Sequence, residues 1–432
     1  MPFCNHSERI IMSDNREIAT QILFQTFSKR SFLDFEMLDK NPDSDRGFIK
    51  MLVMTTTRRY EFIRKVIRQF APKRLPEKAA YANYALAAAV TELLFMDTPD
   101  YAVINSYVSL IKKHCDRYVA GFANAVLRKI AAEKDLLKEH DRGEFFTTAF
   151  FELLNKDYSK GTVRRIQEAS LTEPPLAITV KSDPAVWAEK LNGKLLDGNT
   201  IILPNSGKIR ELPGYAAGEW WVQDYAASLA VSTIKDLQGK RVLDLCAAPG
   251  GKTAQLLSCG AKVTSLDNSQ LRLKILRENM ERLQLQPEQI ICADALDYLQ
   301  NFDNEPYDII LLDAPCSGTG IFRRHPELVH IKNLQDTIRQ AELQKQILSV
   351  TDKALKTGGI LVYCTCSIAK NEGELPIDAF LQTHPNFQIQ PLKHPKFPEM
   401  VTERGYLRTL PHQLTEFGGC DAFFIAQLTK VG

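Results

Sequence analysis

Two thiols stand one residue apart in Tyr363-Cys364-Thr365-Cys366-Ser367, where the apolar run Ile360-Leu361-Val362-Tyr363 breaks off. A run of that kind after the Gly358-Gly359 turn reads as a buried strand. The thiols then sit at or just beyond its C-terminal end, which is where open α/β sheets place their chemistry. Three chemistries compete there: a metal pair, a redox pair, or one nucleophilic cysteine beside a bystander. A metal needs two further ligands, and the chain offers no matching CxxC or His pair. A redox pair fares no better, because no CxxC exists. The residues upstream have to choose.

Other groups in the same half of the chain bear on that choice. Cys246-Ala247-Ala248-Pro249-Gly250-Gly251-Lys252-Thr253 follows a strand-like run and opens a helix. Such a loop turns backbone N–H groups and a helix N-terminus toward a ligand, with glycines for close approach. Its end matches a phosphate loop, GxxxxGK[ST], but position 246 is cysteine and Pro249 deletes a donor, which disfavours a nucleotide triphosphatase. The next strand ends at Asp267, sixteen residues beyond Gly251, where a carboxylate can accept from ribose hydroxyls. Another leads to Asp294, a plausible partner for an adenine amino group. A lone strand-end Asp is more often a helix cap or turn residue. Two in register with a glycine loop shift the balance to an adenosine-containing ligand. A fourth strand runs into Asp313-Ala314-Pro315-Cys316-Ser317-Gly318-Thr319-Gly320, an acid and a thiol followed by flexible turns.

The elements that must position these groups follow a strand, loop, helix rhythm after Trp220. Strands are predicted at Arg241 to Leu245, Lys262 to Leu266, Gln289 to Cys292, Tyr307 to Leu312 and Ile360 to Tyr363, which argues for a mostly parallel sheet with covered faces. A long helix near Leu334 to Leu355 should bury a stripe of Leu334, Ile338, Ala341, Leu348 and Leu355. Ahead of it a small α+β module is predicted, with a helix near Tyr158 to Ala169 and strands at Leu176 to Val180 and Thr200 to Leu203. From Asp14 to about Ile130 the pattern is helical. Asp14 is a candidate cap for the first helix, the second should cover Gly47 to Phe70, and the third, Lys78 to Met96, is Ala-rich and apolar nearly all round, as in the centre of a bundle. Tyr101 to Cys115 and Arg117 to Lys134 supply two more, and the charged stretch Asp135 to Glu144 reads as a linker.

The chain has 432 residues and nine scattered cysteines, long enough for several cored domains and free of any disulfide framework. The polar N-terminus lacks an apolar signal core, and the run Ala85 to Met96 is too short to span a membrane. A cytoplasmic protein, monomeric and without a membrane or metal partner, is expected. The net charge is +2, with an excess of basic residues in the first 150 positions. Within them, Arg58 to Lys78 carries eight basic residues against Glu61 and Glu77, readable as a solvated helix face or as a phosphate contact.

With these motifs in order, the chain resembles the Nop/Sun family of S-adenosylmethionine-dependent RNA 5-methylcytosine methyltransferases, and within it the bacterial branch acting on small-subunit ribosomal RNA. The resemblance rests on Cys246 to Thr253, Asp313 to Gly320, and Thr365-Cys366-Ser367 with Asn371-Glu372. It extends to Val222-Gln223-Asp224, Arg324-His325-Pro326-Glu327, Leu410-Pro411-His412 and Asp421-Ala422-Phe423-Phe424. The N-terminal helices resemble the NusB-type antitermination-factor domain, a known RNA-binding fold, through Ala120-Gly121-Phe122-Ala123-Asn124-Ala125-Val126-Leu127-Arg128. Two departures stand out: Thr179-Val180-Lys181 replaces the family's Arg-Val-Asn, and Phe150-Phe151-Glu152 stands where a Pro-x-Trp motif is expected.

The resemblance implies a multidomain chain: an all-α NusB-like RNA-binding domain at 1–140, a small α+β connector at 145–218 and a C-terminal α/β Rossmann-like methyltransferase domain at 219–432. It implies S-adenosylmethionine bound at Cys246, Ala247, Ala248, Pro249, Gly250, Gly251, Lys252, Asp267, Asp294 and Asp313. Cys366 would be the nucleophile toward cytosine, Cys316 would assist release and Asp313 would act as the acid at the ring. DNA 5-methylcytosine enzymes use the Pro-Cys thiol instead, which makes Cys316 the alternative nucleophile. The substrate would be a cytidine in single-stranded or loop ribosomal RNA, where no base pair must be opened. The competing class is a catalytically silent RNA-binding assembly or antitermination factor. Cys364, Cys259, Cys292, Cys115 and Cys4 are expected to be small buried residues.

Overall fold

The computed structural model describes residues 6–72, 75–204 and 207–431. Cys4, Lys73 and Arg74 lie outside them. The chain divides into two compact units: the described residues up to Phe151 together with His325–Lys332, and Glu152–Arg324 with Asn333 onward.

The first unit is helical. Ala80–Phe95 is buried along most of its length, as its all-round apolar sequence dictates, and its buried Glu92 accepts from Arg16 Nε at 2.9 Å. The first helix spans His6–Lys29, so Asp14 lies inside it rather than at its start. The single helix expected from Gly47 to Phe70 is two, Arg46–Arg58 and Tyr60–Phe70, because Arg59 leaves helical geometry at φ −100°, ψ 9°. The expected linker is also structured. Lys134–Glu139 is helical with Leu137 buried, and its charges are used: Asp141 pairs with Arg59 at 2.7 Å and Glu144 with Lys65 at 2.5 Å. Arg64 pairs with Glu61 at 2.9 Å and Arg58 is buried, so part of the basic run is neutralised internally.

His325–Lys332 packs within this helical unit, a placement the sequence does not announce. Leu328, Val329 and Ile331 are buried, and Thr147 Oγ1 donates to the Val329 carbonyl at 2.8 Å. His330 lies edge-on to Phe27 and Tyr60 with Nε2 3.0 Å from the Thr57 carbonyl. Burial drives its pKa down to about 4.

The second unit holds both sheets. In the smaller, β1 (Leu176–Val180), β2 (Lys194–Asp197), β3 (Thr200–Leu203) and β4 (Trp220–Val222) pair antiparallel in the order β2-β3-β1-β4. Ile178, Val180, Ile201, Leu203 and Trp220 form its core. Thr179 is buried, and Lys181 Nζ donates to the Leu283 carbonyl. The helix expected near Tyr158 to Ala169 spans Lys160–Ala169, capped by Ser159, and a further helix outside that expectation, Thr148–Asp157, precedes it.

The larger sheet contains β5 (Arg241–Leu245), β6 (Lys262–Asp267), β7 (Gln289–Cys292), β8 (Tyr307–Asp313), β9 (Leu355–Thr365), β10 (Phe387–Ile389), β11 (Leu407–Thr409) and β12 (Phe423–Lys430). Its order is β10-β12-β9-β8-β5-β6-β7, with β11 on β12. The five strands from β7 to β9 run parallel, while β12, β10 and β11 are antiparallel. The parallel strands are near-continuous apolar runs because helices cover both faces. The long helix ends early, at Ser349, and Ile338 of the expected stripe is 42% exposed. Thr337 and Gln344 are buried instead, because both make hydrogen bonds to the site described next. Among the described residues no helix is long and apolar enough to cross a membrane.

Candidate active site

The parallel order brings the C-terminal ends of β5, β6, β8 and β9 side by side, and the residues singled out by sequence converge there. Cys246 leaves β5 in the left-handed region, φ 60°, and the loop enters the helix Gly251–Ser258 through Gly250 at φ 101°. A Cβ at Gly250 would meet Leu276 at 3.1 Å and Met280 at 3.2 Å, so both conformation and space require glycine. Beneath the loop Asp244 is fully buried and accepts from Thr253 Oγ1 at 2.6 Å. Burial pushes its pKa up to about 7.

Asp313 closes β8. Its Oδ2 takes an ion pair from Lys252 Nζ at 2.7 Å, and its Oδ1 lies 3.6 Å from the Cys364 thiol. Burial alone would lower the Lys252 pKa, but Asp313 outweighs that and holds the ammonium charged. The same ammonium interacts electrostatically with the thiols of Cys364 and Cys366 and lies 5.0 Å from the centre of the Phe423 ring. Lys252, assigned from sequence to the cofactor loop, thus turns to the acid and the thiols.

Cys364 is buried within β9, whereas Cys366 is the first residue past its end. Cys366 Sγ lies 3.2 Å from Cys316 Sγ, joining two cysteines fifty positions apart. The contact with Cys366, together with burial, pushes the Cys316 thiol well above its usual range. Behind the pair, buried Glu372 accepts from Ser317 and Ser367, the residues following each cysteine. Gln344 Nε2 holds the Pro315 carbonyl at 2.8 Å, and Asn371 donates to Thr337.

The segment after Cys366 is clamped further. Arg408 of β11 makes a two-pronged ion pair with Glu374 and donates to the carbonyls of Ser367 and Ile368. Tyr158 Oη donates to the Ile368 carbonyl at 2.7 Å, and Asp157 caps the Lys370 N–H at 2.7 Å. Nothing local in the sequence marks Arg408 or Asp244 as parts of the site, and Glu372 is marked only through the Asn371-Glu372 likeness.

The donor set suits an adenosine-bearing sulfonium. Asp267 is buried at the end of β6, accepting from Ala248 N at 3.2 Å and Ser269 N at 3.0 Å, with Arg272 at 3.3 Å. A carboxylate has about four acceptor positions, so capacity for a ribose hydroxyl remains. Asp294 is a helix cap through Oδ1, which accepts from Leu296 and Asp297, while the residue stays exposed. Ala247 and Ala248 are nearly buried walls of the same loop, and the Ala248-Pro249 bond is cis. The cysteines expected to be buried divide: Cys364 is buried and Cys115 half-buried, but Cys259 and Cys292 are exposed. Cys259 caps a helix end and Cys292 ends the edge strand β7. Among the described residues no group of three or more His, Cys, Asp or Glu is placed to hold a metal.

Comparison with known proteins agrees with this geometry. Residues 231–429 match the family described as 16S rRNA methyltransferase RsmB/F, and residues 13–132 match the NusB family. A Ribosomal RNA small subunit methyltransferase B from Pseudomonas putida is 34% identical over 416 residues, covering 91% of this chain and 92% of that protein. Its namesake from Vibrio cholerae is 32% identical, covering 80% and 83%. The solved crystal structure of PH0851 shares the fold, with a TM-score of 0.74 at 22% identity across 97% of this chain and 98% of that one. The chain therefore belongs to the RsmB/F family of 16S rRNA methyltransferases, enzymes that methylate ribosomal RNA with S-adenosylmethionine as donor.

Proposed function

We propose that this enzyme methylates carbon 5 of a cytidine in small-subunit ribosomal RNA through a covalent adduct on Cys366. The observation that carries the reading is the meeting of Cys366 and Cys316 at 3.2 Å beside the Lys252–Asp313 pair. Carbon 5 of cytosine is a poor nucleophile, so a thiolate must first add to carbon 6 and convert the ring to an enamine. A free cysteine, with a pKa of about 8.5, is only a few per cent thiolate at neutral pH. Lowering that pKa by ~1.5 units, worth about 2 kcal/mol, makes half of it reactive. The Lys252 ammonium is the cation in reach.

The roles follow from the surroundings of each group. Cys366 Sγ forms the bond to carbon 6, and the electron pair of the 5,6 double bond becomes available at carbon 5. The Lys252–Asp313 pair supplies the hydrogen bond or proton to the ring nitrogen through Asp313, with the ammonium as the source of the proton, as charge develops there. The loop from Cys246 to Lys252 with Asp267 and Asp294 would hold S-adenosylmethionine, which would supply an electrophilic methyl carbon; carbon 5 bonds to it as the sulfonium–methyl bond breaks and leaves the neutral thioether. Loss of the carbon 5 proton to a base then lets the bond from carbon 6 to Cys366 Sγ break. Cys316, kept protonated by its surroundings, assists that release. Residues 1–140 would hold RNA, 145–218 would connect and 219–432 would catalyse, in a cytoplasmic monomer. The names of the relatives support the small subunit as target.

Cys366→Ala should abolish 5-methylcytidine in ribosomal RNA treated with the purified enzyme and S-adenosylmethionine, as read by nucleoside mass spectrometry. Full methylation by the variant would overturn the nucleophile assignment.

A further inference from the structure

Glu372 is fully buried, and its carboxylate touches neither thiol. Oε1 accepts from Ser317 N at 2.7 Å and Gln344 Nε2 at 3.4 Å. Oε2 accepts from Ser317 Oγ and Ser367 Oγ, each at 2.6 Å. Four donors fill the capacity of one carboxylate. Ser317 directly follows Cys316 and Ser367 directly follows Cys366, so a single side chain grips both cysteine loops one residue from each sulfur. Thr319 Oγ1 spans the same two hydroxyls at 3.0 Å each. The Glu372 carbonyl accepts from Tyr363 Oη at 2.8 Å and Thr365 Oγ1 at 3.1 Å, on the strand that delivers Cys366. The Cys316 loop comes from β8 and the Cys366 loop from β9, and register between those strands ends at Asp313 and Cys364. Beyond that point backbone bonds from Ala314 N to the Cys364 carbonyl and from Gly320 N to the Cys366 carbonyl, both at 2.9 Å, still join the loops, and the Glu372 carboxylate adds the ties one residue from each sulfur.

We infer that Glu372 is a positioning residue that sets the spacing of the Cys316 and Cys366 thiols, so that adduct formation and release act on one bound base. The inference rests on the cysteine chemistry proposed above. Two groups that must act in turn on the same ring tolerate little displacement, since a misplacement of ~1 Å can cost about 10²-fold in rate. Glu372→Gln keeps the shape but replaces one acceptor oxygen with a donor, and Glu372→Asp keeps the charge but shortens the reach.

The test separates geometry from catalysis. Without RNA, the azodicarboxamide oxidant diamide should close a Cys316–Cys366 disulfide: each thiol loses a proton, one S–S bond forms, and the azo group takes up two electrons and two protons as the hydrazine. Mass spectrometry of the joined peptides gives the rate. Glu372→Gln should close this bond at least tenfold more slowly than wild type. It should also lower kcat for RNA methylation about 10²-fold, leave KM for RNA within threefold and lengthen the life of the cysteine adduct. Glu372→Asp should recover part of both rates. Ser367→Ala, which removes one tether only, should move both in the same direction by about threefold and serves if Glu372→Gln does not fold. Wild-type disulfide and methylation rates in a folded Glu372→Gln would overturn the inference, as would a loss of methylation in step with thermal stability alone. If the methylated product were not 5-methylcytidine, the proposed function would fall while the disulfide rates still reported on Glu372.

Discussion

Lys252→Met removes the ammonium while keeping the length of the side chain. At 2.7 Å from Asp313, and with an effective dielectric constant of ~20, the gross attraction is about 6 kcal/mol. The Asp313 side chain is 31% exposed, and water screening reduces the net effect to ~2–3 kcal/mol. Expressed in the transition state, that is a loss of roughly 30- to 150-fold in kcat. The KM for S-adenosylmethionine should stay within threefold, because the Lys252 ammonium is engaged by Asp313. Initial rates of methyl transfer to ribosomal RNA at a series of cofactor concentrations, with thermal unfolding as a control, measure both. A folded variant with kcat within threefold of wild type would refute the role given to the cation.

Two buried groups give opposite pH signatures. The Asp244 pKa, near 7 in the fold, lies above its unfolded value of about 3.9, so the native state binds the extra proton. Its stabilisation is full below the unfolded value and disappears as pH rises through 7, a swing of up to ~4 kcal/mol. Asp244→Asn should flatten that slope and raise thermal stability at pH 8, measured by melting temperature at a series of pH values. The His330 pKa, near 4, lies below its unfolded value of about 6.5. Its contribution is intact above 6.5 and lost as pH falls through 4, a change of up to ~3 kcal/mol. Charges at Glu61 and Arg64 face it. His330→Leu should reduce the drop in melting temperature between pH 7 and 5, and an unchanged drop would contradict the assignment.

Most of the parallel strands were legible because burial on both faces writes them as short apolar runs between turn signals: Arg241–Leu245 coincides with the expectation, and so does the part-exposed edge strand Gln289–Cys292. The helical unit was legible from its periodicity, but Arg59 breaks a helix without glycine or proline to mark it. The charged stretch after residue 134 looked like a linker because its carboxylates pair with Arg59 and Lys65, far back in the chain. Asp313, Cys316 and Cys366 could be placed at strand ends from the sequence, and their roles came from the family resemblance. Their supports could not be placed in this way. Glu374 and Arg408 are 34 positions apart, and Tyr158 reaches Ile368 across 210. A buried polar side chain is explained by partners that only the fold supplies. For the same reason the sequence placed Lys252 on its loop but not the ion pair its side chain makes with Asp313 at the end of β8.

The central claim is that Cys366 bonds to carbon 6 of cytosine. A ribosomal RNA substrate carrying 5-fluorocytidine cannot lose a proton from carbon 5 after methyl transfer, so the adduct should persist. Incubation with enzyme and S-adenosylmethionine, followed by nuclease and protease digestion and mass spectrometry, locates the linked residue. A methylated fluorocytidine on the peptide containing Cys366, absent in Cys366→Ala, is the result expected. An adduct on Cys316, or methyl transfer with no adduct at all, would contradict it.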